Sequence, residues 1–68
     1  MYQKQKKFKE AINDYSKSIQ LIPNGTAYYN RGLCYFNINN SNKGCEDMKL
    51  AIKWGVEQAK EYLEKNCK

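Results

Sequence analysis

Apolar residues recur every three or four positions through most of this chain, which is the spacing of one face of an α-helix. The pattern is clearest from Phe8 to Ile22. Pro23 ends it, because proline lacks an amide hydrogen and disfavours helical geometry in the residue before it. The sequence therefore predicts a first helix over residues 8–22.

Three further helices follow from the same spacing. Thr26 is predicted to cap a second helix over 26–37, which ends before the run Asn39, Asn40, Ser41, Asn42. A third is expected over 43–54, stopped by Gly55 in a left-handed conformation. A fourth is expected over 57–66. No stretch shows the sustained alternation of a β-strand, so the predicted class is all-α.

The chain also matches itself at an offset of 33 residues. That shift places Tyr2 on Tyr35 and Asp14 on Asp47, and most inward positions keep their size and polarity. A two-helix unit repeated at 33–34 residues is typical of an α-solenoid, in which each hairpin covers the apolar face of its neighbour. The alternative is an unrelated three- or four-helix bundle whose apolar stripes form only a core.

The spacing of aromatic and small residues resembles a known family. Two sets carry the likeness: Tyr28, Gly32, Tyr35, Gly44, Met48 and Ala51 in the second unit, and Ala11, Tyr15, Ser18 and Pro23 in the first. Both are similar to the tetratricopeptide signature. The resemblance implies antiparallel helical hairpins stacked as a short right-handed α-solenoid. It also implies one domain over 1–68: a partial repeat (1–25), a complete repeat (26–55) and a capping helix (56–68).

The sequence departs from the signature at several positions. Arg31 stands where the family usually has leucine, Gly44 where it has alanine, and Val56 where it often has proline. These differences suggest a less regular, carboxy-terminal unit of an array.

The resemblance further implies that a protein or peptide partner binds in a concave groove lined by the first helix of each hairpin. Carried onto this chain, the groove residues are Thr26, Tyr29, Asn30, Leu33, Phe36 and Asn37, with Gln3 and Lys4 from the partial repeat. Tyr29 and Phe36 are the candidate anchors, since large aromatic side chains dominate interface energetics. The alternative is that they are buried against a neighbouring hairpin.

Some members of the family hold the terminal carboxylate of a chaperone tail with a clamp of lysine, asparagine and arginine. Only Asn30 matches that arrangement here, because Arg31 lies one position aside and would point elsewhere. The sequence therefore does not predict chaperone-tail binding.

Two functions other than binding a protein partner remain open, and the first is suggested by the charge of the chain. The net charge is +5, and Lys4, Lys6, Lys7 and Lys9 crowd the amino terminus. Lysines beside aromatic rings suit single-stranded nucleic acid, although such a run is more often a solvated helix face. The other alternative is a purely structural terminal repeat of a longer array, or a self-associating one, and self-association would make the chain a homo-oligomer.

The composition argues against an enzyme, a metal site and a membrane span. The chain has no histidine, so the commonest general base is missing, and Glu46 and Asp47 diverge by about 100° on a helix. No catalytic residue, cofactor or metal is therefore predicted. No apolar stretch approaches the ~20 residues that cross a bilayer, so no membrane partner is expected.

The three cysteines allow two interpretations. Cys45 and Cys67 lie at similar distances from the Gly55 turn, with an axial mismatch of about 3 Å in an antiparallel hairpin, so a disulfide between them is feasible. Cys34 faces away and is predicted to be a free thiol. The alternative is that all three are reduced. The compartment follows the same division: cytoplasmic if the thiols are reduced, extracytoplasmic if Cys45 and Cys67 are bridged.

Overall fold

The computed structural model describes residues 7–67, which form four α-helices and no β-strand. They are α1 (Phe8–Leu21), α2 (Gly25–Asn37), α3 (Ser41–Lys53) and α4 (Gln58–Asn66). Each helix packs mainly on the next one along the chain. Since the connections are only three or four residues long, successive helices are antiparallel. The all-α prediction and its hairpin architecture are confirmed.

The core lies between α2, α3 and α4. Its centre consists of Met48, Ala51 and Ala59, which are completely buried. Half-buried apolar side chains from three helices and the α3–α4 turn surround it: Tyr28, Tyr29, Leu33, Phe36, Ile52, Val56, Tyr62 and Leu63. α3 therefore supplies the middle of the core, and its neighbours on both sides cover it.

The cap of α2 differs from the prediction. The side-chain oxygen of Asn24 accepts a hydrogen bond from the Ala27 amide at 2.8 Å, so Asn24 is the N-cap. Thr26 is exposed in the first turn of the helix. The prediction that Thr26 caps α2 is therefore wrong, because the chain already turns into the helix at Asn24, directly after Pro23.

Two left-handed residues close α2 and α3. Gly55 has φ 99°, with the Val56 amide bonded to the Ala51 carbonyl at 2.9 Å. Asn39 has φ 64°, with the Asn40 amide bonded to the Tyr35 carbonyl at 2.8 Å. Both turns satisfy helix-terminal carbonyls in the Schellman pattern. Because Asn39 completes the turn so early, α3 begins at Ser41, two residues before its predicted start.

Glycine brings α2 and α3 into close contact. A Cβ atom placed on Gly32 would lie 2.9 Å from the Met48 methyl carbon and 3.2 Å from the Gly44 carbonyl oxygen. A Cβ on Gly44 would lie 2.9 Å from the ring of Phe36. The Gly44 that replaces the family's alanine thus makes room for an aromatic ring.

In the part of the chain that the structure describes, every helix is too short and too polar to span a lipid bilayer.

Candidate partner-binding surface

The predicted groove residues lie along one side of α2. Thr26 and Asn37, at its two ends, are exposed. The four residues between them, Tyr29, Asn30, Leu33 and Phe36, are half-buried. Gln3 and Lys4 lie outside the described residues. We call the six residues on α2 the α2 surface.

The apolar members of the α2 surface also contact the core. Tyr29, Leu33 and Phe36 pack against the buried cluster around Met48. The ring of Phe36 lies over Gly44, and its centroid is 5.0 Å from that of Tyr62 on α4. Phe36 is therefore held between α3 and α4, and it forms part of the floor of this surface.

The two asparagines of the α2 surface differ in their hydrogen bonding. The side-chain amide of Asn37 donates to the Leu33 carbonyl of its own helix at 2.8 Å. Within residues 7–67, the side chain of Asn30 makes no hydrogen bond. Asn30 can therefore bond to the backbone of a bound peptide without giving up an existing partner.

Another side of α2 carries an ion pair that the sequence did not reveal. Arg31 donates to both carboxylate oxygens of Asp47 on α3, from Nε at 2.8 Å and from Nη2 at 2.7 Å. Its third nitrogen donates to the Ser16 hydroxyl of α1 at 3.0 Å. One side chain thus joins three helices.

Burial makes this ion pair important for folding. Asp47 is only 2% exposed, and the guanidinium of Arg31 also lies 5.6 Å from the Tyr28 ring and 5.9 Å from the Tyr35 ring. The hydrogen bond with Asp47 raises the pKa of Arg31 above its usual value. Two features of the sequence could have indicated this pair: Arg31 stands where the family usually has leucine, and Asp47 lies on the inward side of the next helix.

The structure joins Cys45 and Cys67 by a disulfide, with Cα atoms 5.9 Å apart. Cys45 lies near the start of α3, and Cys67 follows the last residue of α4. Cys34 is a free, half-buried thiol, and its burial raises its pKa above the usual 9.0. Among residues 7–67, no group of cysteine and carboxylate side chains is arranged to hold a metal ion.

Comparison with known proteins places the repeats in a family. A tetratricopeptide repeat model matches residues 1–24 and again residues 25–54. The chain is also 38% identical over 53 residues to the Hsp70-Hsp90 organising protein of Plasmodium falciparum (isolate 3D7). That match covers 76% of this chain but only 9% of the relative. No solved structure gives a significant match. The matched units span most of the sequence, and the chain belongs to the tetratricopeptide repeat family.

Proposed function

We propose that this chain binds a protein or peptide partner on the α2 surface. Tetratricopeptide repeats serve in protein–protein interaction and are typically non-catalytic scaffolds. The observation that carries the proposal is a grouping on one side of α2. It joins half-buried aromatic rings, the exposed ends Thr26 and Asn37, and the side-chain amide of Asn30, which has no hydrogen bond within residues 7–67. Interfaces favour this combination of an aromatic centre and a polar rim.

Within the α2 surface, Tyr29 and Asn30 are the residues best placed to contact a partner. Phe36 is engaged by Gly44 and Tyr62, and Asn37 is bonded to its own helix. Tyr29 would supply apolar area with a hydroxyl at its tip, and Asn30 would supply both a donor and an acceptor for peptide backbone.

The name of the relative raises the question of a chaperone partner. In the family, a clamp on a terminal carboxylate combines asparagine with lysine and arginine side chains, and Arg31 is the basic residue that follows Asn30 in this chain. The adjacent guanidinium of Arg31 is already bonded to Asp47 and Ser16. We therefore propose a partner held by aromatic and amide contacts, with no requirement for a free carboxylate.

The test compares two double variants by quantitative affinity capture from cell extract. Tyr29→Ala with Asn30→Ala removes the proposed contacts. Lys49→Ala with Lys53→Ala changes two exposed residues on α3 and serves as the matched control. We expect the Tyr29/Asn30 double variant to lose a defined set of partners that the Lys49/Lys53 double variant keeps. Equal recovery by both, with helical circular dichroism unchanged, would show that the α2 surface is not the binding site.

Nucleic acid is a weaker candidate. Lys4 and Lys6 lie outside the described residues, and the exposed Lys7 lies 3.9 Å from the carboxylate of Glu10. Arg31, which would be the best phosphate ligand, is tied to Asp47. We expect no binding of a mixed single-stranded oligonucleotide in a fluorescence titration at low salt, where such binding is strongest.

A further inference from the structure

α4 is held to the rest of the chain at both of its ends. Its amino-terminal end follows the left-handed turn at Gly55, which also ends α3. Its carboxy-terminal end is followed at once by Cys67, which is bonded to Cys45 near the opposite end of α3. The disulfide thus fixes the carboxy-terminal end of α4 to the first turns of α3.

The non-covalent contacts of α4 are few. The helix has nine residues, and six of them are exposed: Gln58, Lys60, Glu61, Glu64, Lys65 and Asn66. Only Ala59, Tyr62 and Leu63 face the core. Helices shorter than about 12 residues are marginal in water by themselves. α4 therefore depends on its docking to stay helical.

We propose that the Cys45–Cys67 disulfide is a reversible redox latch that keeps α4 docked on α2 and α3. A thiol reductant opens the latch in two steps. One external thiolate attacks a sulfur of the bridge and forms a mixed disulfide, and the other protein sulfur leaves and takes up a proton. A second external thiol then releases the protein as two free thiols. Two electrons pass to the protein, and two external thiols become one disulfide.

The position of the bridge allows this exchange. Cys45 and Cys67 are both half-buried, so a small thiol can approach the bridge without prior unfolding. Once the bridge is open, the core contacts that hold α4 among the described residues are those of Ala59, Tyr62 and Leu63. The bridge closes a loop between residues 22 apart, which in the chain-entropy model favours the folded over the unfolded chain by on the order of 100-fold. Because the bridge joins α4 directly to α3, we expect its opening to weaken the docking of α4 more than that of α1 or α2.

Release of α4 would alter the α2 surface. Tyr62 would leave the ring of Phe36, and Ala59 would leave the cluster around Met48 and Ala51. The floor of the α2 surface would then face solvent. The latch itself is independent of what the α2 surface binds, because it concerns only the docking of α4.

The test is amide hydrogen exchange of the full chain before and after treatment with dithiothreitol, and after reoxidation. We expect reduction to speed the exchange of the Gln58–Asn66 amides by a much larger factor than that of the Gly25–Asn37 amides, and reoxidation to restore both rates. Cys34→Ser, which leaves the bridge intact, should behave as wild type. Cys67→Ser should behave as the reduced form under all conditions.

Three results would overturn the proposal. If reduction left α4 exchange unchanged, the bridge would not hold the helix. If reduction accelerated exchange equally in α2 and α4, the bridge would stabilise the whole fold and no local latch would exist. If unreduced, unfolded protein exposed three reactive thiols rather than one, the bridge would not form.

Discussion

Arg31 shows how one side chain can replace the apolar contact that the family uses at the same position. All three nitrogens of its guanidinium donate hydrogen bonds, two to Asp47 and one to Ser16. The positive charge is therefore paired in its position between α1, α2 and α3. Burying two charges is costly, but removing one of them is worse, because the other then remains buried without a partner.

We therefore expect Arg31→Leu to cost about 3–5 kcal/mol, which is comparable to the whole stability of a domain of this size. The single variant should be largely unfolded at 25 °C by circular dichroism. Adding Asp47→Leu should restore a folded protein, since an apolar pair can replace a buried ion pair. Lys7→Ala, which breaks an exposed pair with Glu10, should leave the urea midpoint unchanged. A double variant as unstable as Arg31→Leu would contradict this account.

Cys34 makes the stability of the fold depend on pH. Burial raises its pKa above 9.0, the value of the unfolded chain, so the folded state keeps the proton longer. The contribution of Cys34 to stability is then fully present below pH 9 and is lost as the pH rises through the folded pKa.

The measurement is the free energy of unfolding in urea at pH 8 and pH 10, for wild type and Cys34→Ala. Because tyrosines and lysines also titrate at pH 10, the prediction concerns the difference between the two proteins. Wild type should lose more stability than Cys34→Ala between these pH values. Equal losses would mean that the thiol is not desolvated by folding.

At the scale of elements, the turns decide where each helix begins and ends. Asn24, Asn39 and Gly55 mark three helix boundaries, and each makes or permits a specific backbone hydrogen bond.

Asn24→Ala should cost about 1 kcal/mol, because the Ala27 amide loses its partner. Thr26→Ala should change the free energy of unfolding far less, since Thr26 is exposed and does not cap the helix. The unfolding temperatures of the two variants, measured side by side, show whether Asn24 or Thr26 caps α2. A larger loss for Thr26→Ala would restore the cap first expected from the sequence.

Gly55→Ala should cost about 1–2 kcal/mol, because a left-handed backbone disfavours any residue with a Cβ. The strain is confined to the local backbone, since no atom beyond the adjacent residues lies within 4 Å of the position of that Cβ. Gly55→Asn should be milder than Gly55→Ala, since asparagine tolerates left-handed geometry better. Urea titrations of the three proteins test this order, and equal stability of all three would contradict it.

The four helices were predictable from the sequence because each has a regular apolar spacing and a residue that breaks it, such as Pro23 or Gly55. The cap of α2 was missed because Asn24 and Thr26 are both good N-cap residues, and the choice depends on where the chain turns after Pro23. The Arg31–Asp47 pair was missed because periodicity treats any charge as outward. The family resemblance was enough to assign the α2 surface to its helix. The packing of Phe36 against Tyr62 could not be predicted, because it depends on how α4 docks.

At the scale of the whole molecule, the helices form a row rather than a ball. The extents of 32 × 30 × 19 Å describe a flat slab, and each helix packs mainly on its neighbours in the chain. In such a row the inner members are covered on two sides and the outer members on one. Stability should therefore fall from the centre of the slab to its edges.

We expect amide exchange of the oxidised protein to be slowest in α2 and α3 and faster in α1, which packs mainly on α2. Hydrogen exchange with proteolytic fragmentation resolves these segments. Uniform protection from α1 to α3 would indicate that this part of the molecule opens as one cooperative unit.

Trp54 provides a built-in optical probe of one corner of this slab. It is the chain's single tryptophan, 51% exposed at the end of α3, and its Cβ would lie 2.9 Å from a Cβ on Gly25. Its emission should therefore shift when the junction of α2 and α3 separates. Since Cys67 lies near the far end of α3, opening the bridge should leave the emission colour almost unchanged. Trp54 fluorescence should therefore report the unfolding of the whole chain but not the undocking of α4.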